Sequence, residues 1–156
     1  MNRKIIIITL ISYLLSACTG SNKNNSDVQI IENKSGDTIK ESDFVSLNYN
    51  LRTPDGKVLS SSGKFDQRPL FMFRTHPYFI GDLNTALGEL SEGDSAVIRI
   101  SLDSMKAKMH YHMSIKSKYL LYEVRINKVI TRAGFNDQQL NQKFEELKES
   151  HFTGKG

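Results

Sequence analysis

The sequence predicts an α+β fold in which a mainly antiparallel β-sheet is combined with one short helix in mid-chain and a second helix near the C-terminus. Two observations predict this class. Several segments alternate apolar and polar residues, as strands with one buried face do, and only one segment among them has the apolar spacing of an α-helix. With a single helix among the strands, mainly antiparallel pairing is expected. The 156 residues show no internal repeat and fit one domain with additional residues at both ends.

The clearest strand pair is a hairpin at residues 43–62. Its first strand, residues 43–51, places its apolar residues on one face: Val45, Leu47, Tyr49 and Leu51. Asp55-Gly56 is a strong turn pair, so residues 57–62 are predicted to return as the partner strand. Further strands are predicted at residues 28–31, 69–73, 95–102 and 119–129.

The mid-chain helix is predicted between residues 80 and 90. Asp82 is a suitable N-cap because its carboxylate can accept from backbone N–H groups of the first turn. One apolar face follows at helical spacing: Leu83, Ala86, Leu87 and Leu90. Gly88 weakens the helix and residues 91–94 end it, so about two turns are expected.

Residues 131–156 are predicted to form a C-terminal helix and tail. The helix covers residues 136–150 behind a cap at Asn136 or Asp137. Its apolar face consists of Leu140, Phe144 and Leu147. An amphipathic helix of this kind either packs on the sheet or lies exposed, and the sequence leaves both arrangements open. Residues 151–156 are predicted to be disordered.

The N-terminus has the pattern of an export signal. A short basic segment, MNRK, precedes the apolar run IIIITLISYLL, which is too short for a good membrane-spanning helix. The run ends in Leu-Ser-Ala-Cys and resembles a bacterial lipobox, in which Cys18 becomes the lipidated first residue of the mature chain. Residues 1–17 are therefore predicted to be a lipoprotein signal peptide and residues 18–35 a flexible tether. The expected location is a membrane face outside the cytoplasm, and the alternative is an ordinary signal peptide with an incidental cysteine.

Charge and cysteine content exclude two other classes of protein. The chain has 21 Lys and Arg against 17 Asp and Glu, a formal net charge of +4, which falls further when Arg3 and Lys4 leave with the signal. An excess this small does not predict nucleic-acid binding. Cys18 is the only cysteine, so a disulfide framework within the chain is excluded.

Five weak motifs follow one another in the order of a known family. They are NYNLRTPDGKVLSSS, RPLFMF, a Phe-Ile pair that opens the short helix, GELSEGDSAVIRIS and LLYEVRINKV. Their order and spacing resemble the FKBP-type peptidyl-prolyl cis-trans isomerase domain over residues 36–130. The resemblance implies a strongly twisted antiparallel sheet wrapped across one short helix. It also implies isomerisation of X-Pro bonds without a metal or cofactor. With the lipoprotein signal, the expected partners are proline-containing or unfolded exported polypeptides, and a membrane reached through the lipid anchor.

The resemblance also assigns residues to a proline-binding pocket. The expected catalytic positions are Tyr49, Leu59, Ile80 and Tyr122. The expected substrate-binding positions are Ser60, Leu70, Phe79 and Leu83. The backbone N–H of Ile80 is the expected donor to a substrate carbonyl. Taken one at a time, the apolar residues fit an ordinary hydrophobic core as well, and only the set points to a pocket.

Several positions depart from the family's pattern. Ser60 stands where the family usually has an aspartate that orients the pocket tyrosine, Leu83 replaces a tryptophan, and Leu59 replaces an aromatic residue. Met105-Lys106 stand in the loop where the family usually has a tyrosine. The pocket is therefore expected to be wider or shallower, with lowered isomerase activity and poor affinity for macrolide inhibitors. The alternative function is a non-catalytic chaperone or binding module on the same fold.

The flap, residues 105–118, lacks the glycines and prolines usual in the family. It contains no acidic residue and four lysines: Lys106, Lys108, Lys116 and Lys118. A solvated basic loop is the plain interpretation, and the alternative is a surface for an anionic lipid headgroup or an unfolded acidic client. His110 and His112 would share a face in an extended segment, but two ligands without a third make a weak metal site, so no metal is assigned.

Overall fold

In this computed structural model, residues 27–62, 68–110 and 114–152 are described. Within these ranges the strands are β1 (Asp27–Glu32), β2 (Phe44–Arg52), β3 (Val58–Ser61), β4 (Leu70–Phe73), β5 (Ser95–Ser101) and β6 (Tyr119–Ile130). The helices are α1 (Leu83–Leu87), α2 (Leu102–Met109) and α3 (Asp137–Phe152). The strands form an antiparallel sheet in the order β1-β5-β6-β2-β3, and β4 also pairs with β2. The predicted α+β class, with a short mid-chain helix and a C-terminal helix, is confirmed.

Strand β2 pairs with three other strands. On one side, β6 follows it along its whole length, beginning with Phe44 opposite Ile130. On the other side, β4 pairs with the first half of β2 and β3 with the second half. Leu51 lies opposite Tyr122, so the two strands that carry Tyr49 and Tyr122 are direct neighbours. The sheet therefore brings together two of the predicted pocket residues that are far apart in sequence.

The main hydrophobic core lies between α1 and one face of the sheet. Side chains of a strand alternate between its two faces, and the alternating apolar residues of β2, β5 and β6 all point to this face. With residues of and around α1 they form a buried cluster: Ile39, Val45, Leu47, Ala86, Leu87, Leu90, Ala96, Ile98, Ile100, Val124 and Ile126. The apolar faces predicted for these strands and for the mid-chain helix are confirmed at these positions.

Helix α1 is only five residues long, and side chains hold both of its ends. Asp82 is the N-cap, as predicted, and accepts from a backbone N–H of the first turn at 2.8 Å. Beyond the other end, Gly88 packs against the guanidinium of Arg74, which donates to the carbonyl oxygens of Ile39 and Asn84 at 3.0 Å each. A Cβ at position 88 would collide with this guanidinium, so the glycine that weakens the helix also permits its docking.

Helix α3 packs on the opposite face of the sheet, which decides between the two arrangements that the sequence left open. The rings of Phe144 and Phe44 meet edge to face with centroids 4.7 Å apart. Phe144 also contacts Phe71 and Phe73 of β4, and Leu140 is 2% exposed. The first half of β2 is therefore covered on both faces, by the main core on one side and by α3 on the other.

The start of α3 is fixed by a capping box. Asn136 Oδ1 accepts from the Gln139 N–H at 2.9 Å, and Gln139 Oε1 accepts from the Asn136 N–H at 3.0 Å. Asn136 is therefore the cap that forms. The buried Asp43 holds the segment that precedes α3, because its carboxylate accepts from the backbone N–H of Arg132 at 2.9 Å. The same carboxylate accepts from the Lys40 N–H at 2.8 Å.

The first half of the flap is a helix and not the basic loop that was expected. Leu102, predicted as the last residue of a strand, is the first residue of α2. Ser101 caps the helix, and its Oγ accepts from the Ser104 N–H at 3.2 Å. The sequence holds a signal that reveals this helix, because Leu102, Met105 and Met109 have helical spacing behind a serine cap.

The sheet begins before the predicted domain boundary. Strand β1 pairs with β5, which confirms the short strand predicted at residues 28–31. The second half of the range 18–35, which the sequence analysis assigned to a flexible tether, therefore contains a strand of the sheet. After β1 the chain stays attached, because the buried Asp94 accepts from the Lys34 N–H at 2.6 Å. Cys18 and the predicted signal peptide lie outside the described residues, and within the described ranges no helix combines the length and apolar character that crossing a membrane requires.

Replacing Phe144 by alanine is expected to lower the free energy of unfolding by about 2 kcal/mol, because the half-buried ring that contacts three phenylalanines is lost. Urea unfolding measures the change. The matched control is Asn141→Ala, at an exposed position of the same helix, which should stay within about 0.5 kcal/mol of the native protein. Equal stability of the two variants would contradict the docking of α3 on the sheet.

Candidate functional site

An apolar cavity of about 210 Å³ opens between α1, α2 and the core face of the sheet. Its wall includes Phe79 from the turn before α1, Leu83 from the start of α1, Tyr122 from β6, and Met105 and Met109 from α2. Two larger surface grooves, of about 520 Å³ each, are lined mostly by polar and charged residues. Among these three concave sites, the small cavity is the one suited to an apolar group.

The turn that leads into α1 is fixed by the buried carboxylate of Asp82. Its Oδ2 accepts from the Tyr78 N–H at 2.8 Å, and its Oδ1 accepts from the N–H and the hydroxyl of Thr85 at 2.8 and 3.0 Å. Gly81 adopts a φ of 86°, a conformation that favours glycine. The turn directs Phe79 into the cavity wall and leaves Ile80 71% exposed.

Two tyrosines from neighbouring strands meet at the edge of the cavity. The rings of Tyr49 and Tyr122 have centroids 5.6 Å apart and are tilted by 33°. The Tyr49 hydroxyl lies 2.9 Å from Ser60 Oγ, within hydrogen-bond distance. Ser60 therefore contacts Tyr49 directly, and both residues are ones that the sequence analysis predicted at the pocket.

The structure places the predicted site residues in three groups. Those that line the cavity are Phe79, Leu83 and Tyr122. Those that pack against the core beside it are Tyr49 and Leu70. Those that contribute neither to the wall nor to the core are Leu59 and Ser60, half-buried on β3, and the exposed Ile80.

Several wall residues were not assigned to the pocket from the sequence. Met105 and Met109 belong to the unexpected helix α2, and Ile100 is the next-to-last residue of β5, the strand before it. Asn84 uses its side-chain oxygen to accept from the Thr75 N–H at 3.0 Å, so its contribution to the wall is structural.

No metal site takes shape in the described ranges. His110 is the C-cap of α2, with a φ of 51°, and His112, the other histidine considered in the sequence analysis, lies outside the described residues. In residues 27–62, 68–110 and 114–150, no three His, Cys, Asp or Glu side chains converge on one point.

A bridge on the other face of the sheet ties the two tyrosine-bearing strands together. Glu123 Oε1 accepts from Arg52 Nε at 2.5 Å and Oε2 accepts from Asn50 Nδ2 at 2.9 Å. Both hydrogen bonds lower the pKa of the Glu123 carboxyl, and the one from Arg52 has the larger effect. The contribution of the Glu123 bridge to the free energy of unfolding is therefore fully present above the ordinary glutamate pKa of about 4.3. It is lost as the pH falls through the lowered pKa of Glu123.

Comparison with known proteins places the fold. No protein-family model matches the sequence, and no curated protein matches it. The structure of FkpA from Escherichia coli matches with a TM-score of 0.53 and 24% identity over 65% of this chain and 46% of FkpA. The N-terminal domain of FKBP42 from Arabidopsis thaliana matches with a TM-score of 0.53 and 16% identity over 67% of this chain and 85% of that domain. A peptidyl-prolyl cis-trans isomerase from Pseudomonas syringae pv. tomato matches with a TM-score of 0.53 and 17% identity over 67% of this chain and 74% of that protein.

These likenesses establish a fold, and the activity of this chain is a separate question. The matched region spans less than half of FkpA, and none of the three identities exceeds 24%. What the neighbours share with this chain is the antiparallel sheet packed across a short helix, followed here by a C-terminal helix on the other face. The predicted FKBP-like fold is therefore confirmed.

Proposed function

We propose that the protein is a peptidyl-prolyl cis-trans isomerase of lowered activity that assists the folding of exported polypeptides. The observation that carries the proposal is the small apolar cavity, whose wall contains Phe79, Leu83 and Tyr122. These residues match the positions at which the FKBP family binds proline. The FKBP-like fold, and the likeness to an isomerase from Pseudomonas syringae, support the proposal.

The reaction makes and breaks no covalent bond, so an apolar pocket and a few hydrogen bonds can catalyse it. Rotation about the peptide bond faces a barrier of about 18–20 kcal/mol that comes from amide resonance. The cavity takes the proline ring out of water and so favours the less polar, twisted amide over the planar one. Ile80 provides the orienting donor, since this residue is exposed and nothing in the described part of the chain accepts from its N–H.

The size of the cavity fits a single proline ring better than a macrolide inhibitor. Sites for drug-sized ligands usually measure about 300–1,000 Å³, whereas this cavity measures about 210 Å³. Met105 and Met109 contribute flexible thioether side chains that adapt to a small apolar group. Poor affinity for macrolides is therefore part of the proposal.

Ser60 supplies a physical reason for lowered activity. Its hydroxyl orients Tyr49 at 2.9 Å, but a neutral hydroxyl forms a weaker hydrogen bond than the carboxylate usual in the family. Tyr49 in turn packs against Tyr122 in the cavity wall. A weaker restraint on the first ring leaves the pocket less preorganised for the twisted amide.

A non-catalytic binding module is the second candidate, and the exposed apolar residues around the cavity favour it. Tyr78, Ile80 and Met109 are 65%, 71% and 45% exposed. An exposed apolar patch of this kind can bind an unfolded chain without requiring a proline to enter the cavity. The two candidates differ in whether exchange between cis and trans proline is accelerated.

NMR exchange spectroscopy on a proline peptide with the full chain separates the two candidates. We expect the native protein to accelerate exchange above the uncatalysed rate. In Ile80→Asp the exchange rate should fall about tenfold, because a carboxylate at the apolar mouth of the cavity opposes peptide docking. In Ser60→Asp the rate should rise, because a charged acceptor fixes Tyr49 more firmly. Ile31→Asp is the matched control, since Ile31 is 62% exposed on β1 and does not line the cavity. Exchange at the uncatalysed rate by the folded native protein would reject the isomerase and leave the binding module.

We further propose that Cys18 is lipidated and anchors the protein outside the cytoplasm. The support is the Leu-Ser-Ala-Cys sequence behind a basic and then apolar N-terminus. Each buried methylene of an acyl chain adds about 0.8 kcal/mol to membrane binding, so several chains on one residue anchor firmly. The native protein is expected in the membrane fraction and Cys18→Ser in the soluble fraction. Identical partitioning of the two would reject the anchor.

A further inference from the structure

Four lysines lie on or next to helix α2. They form the lysine group: Lys106, Lys108, Lys116 and Lys118. Within the described residues, no carboxylate forms an ion pair with any of them. Other lysines are paired, as Lys128 is with Glu92 at 2.9 Å and Lys148 with Glu145 at 3.0 Å. Unpaired like charges raise the local potential and attract an acidic ligand.

Two of these lysines flank the face of α2 that lines the cavity. Successive helical residues are rotated by about 100°, so Leu102, Met105 and Met109 share one face. Leu102 is buried and the two methionines form part of the cavity wall, which fixes the direction of this face. By the same rotation, Lys106 lies on one side of the apolar face and Lys108 on the other. A ligand that covers the methionines therefore passes close to both ammonium groups.

The other two lysines lie on the chain segment that returns beside α2. Exposure alternates along it, with Lys116 and Lys118 exposed and Ile115 and Ser117 half-buried, so both lysines point to solvent. The Lys118 carbonyl oxygen accepts from the Leu102 N–H at 3.0 Å, which holds the segment against the first turn of α2. The lysine group is therefore held together around one helix although it is dispersed in sequence.

Among the described residues, no exposed acid lines the cavity. Asp82 contributes to the wall but is 5% exposed and uses both carboxylate oxygens for hydrogen bonds within its own turn. Asp103 is the acidic residue of α2, and the helical rotation places it on the side away from the methionines. Within the described residues, the exposed part of the cavity wall is therefore apolar, and the charges beside it on α2 are mainly basic.

We propose that the lysine group selects polypeptides that carry an aspartate or glutamate next to the proline. The inference rests on the proposed function, because it assigns a substrate class to the same cavity. A polypeptide fits both parts of the surface at once, since one side chain fills the cavity while its acidic neighbour lies over α2. The 210 Å³ cavity and the exposed Tyr78 and Ile80 beside it favour this ligand over an anionic lipid surface, which needs only the charges.

Two blocked peptides that differ only before the proline, Glu-Pro and Lys-Pro, test the inference with the full chain. NMR titration measures the dissociation constants, and exchange spectroscopy on the same samples measures isomerisation. At low salt we expect Glu-Pro to bind about fivefold more tightly than Lys-Pro, as two or more exposed charge pairs would give. The ratio should approach one as added salt screens the charges.

A matched pair of charge variants assigns the preference to the lysine group. Lys106→Gln/Lys108→Gln is expected to lower the Glu-Pro to Lys-Pro ratio at least twofold. Lys40→Gln/Lys143→Gln removes the same charge at positions that do not line the cavity and should leave the ratio unchanged. If the first variant does not fold, the salt dependence of the native protein still decides whether the preference is electrostatic.

The outcomes separate the inference from the proposed function. Preferred binding of Glu-Pro without accelerated exchange would reject the isomerase and retain the acidic ligand class. Accelerated exchange with equal binding of both peptides would retain the isomerase and overturn the inference. The inference would also be overturned if the native protein showed no peptide preference but bound vesicles containing phosphatidylglycerol better than phosphatidylcholine vesicles, because the lysines would then serve a membrane surface.

Discussion

The burial of strand β2 on both faces is the constraint on which the other parts of the structure depend. Phe44, Val45, Ser46 and Leu47 have no measurable exposure, because the main core covers one face and α3 covers the other. Three strands hydrogen-bond to the same element, so its register sets theirs. Loss of this arrangement would release β4, β6 and α3 together, since each of them packs or pairs against the first half of β2.

The same constraint positions the candidate site. The second half of β2 carries Tyr49 beside β6, where Tyr122 faces the cavity, and the bridge through Glu123 fixes the two strands from the opposite face. Helix α1 closes one side of the cavity, and Asp82 and Arg74 hold its two ends. The apolar wall is thus built from rigid elements, whereas α2, with its methionines, supplies the adaptable side. A rigid wall with one adaptable side suits a small apolar ring flanked by variable neighbours.

The sequence predicted the secondary structure correctly where a segment had the clear apolar periodicity of either a strand or a helix. The buried faces of β2, β5 and β6 follow from alternation and the apolar face of α3 from helical spacing, and the side chains on these faces are buried or half-buried. The prediction failed at α2, because the lysines between Leu102, Met105 and Met109 concealed a short apolar face that is visible only once the serine cap is recognised. The hydrogen bond between Ser60 and Tyr49, and the face of the sheet on which α3 packs, depend on tertiary contacts that no local sequence pattern encodes.

The central claim is that the cavity beside α2 binds a proline ring, and methionine-methyl NMR tests it most directly. Met105 and Met109 line the cavity, whereas Met72 packs against the core from β4 and serves as an internal reference. On titration with a proline peptide, the methyl signals of Met105 and Met109 should shift while that of Met72 stays in place. The same peptide with alanine in place of proline should produce little change. Unchanged Met105 and Met109 signals, or equal shifts with both peptides, would contradict the account.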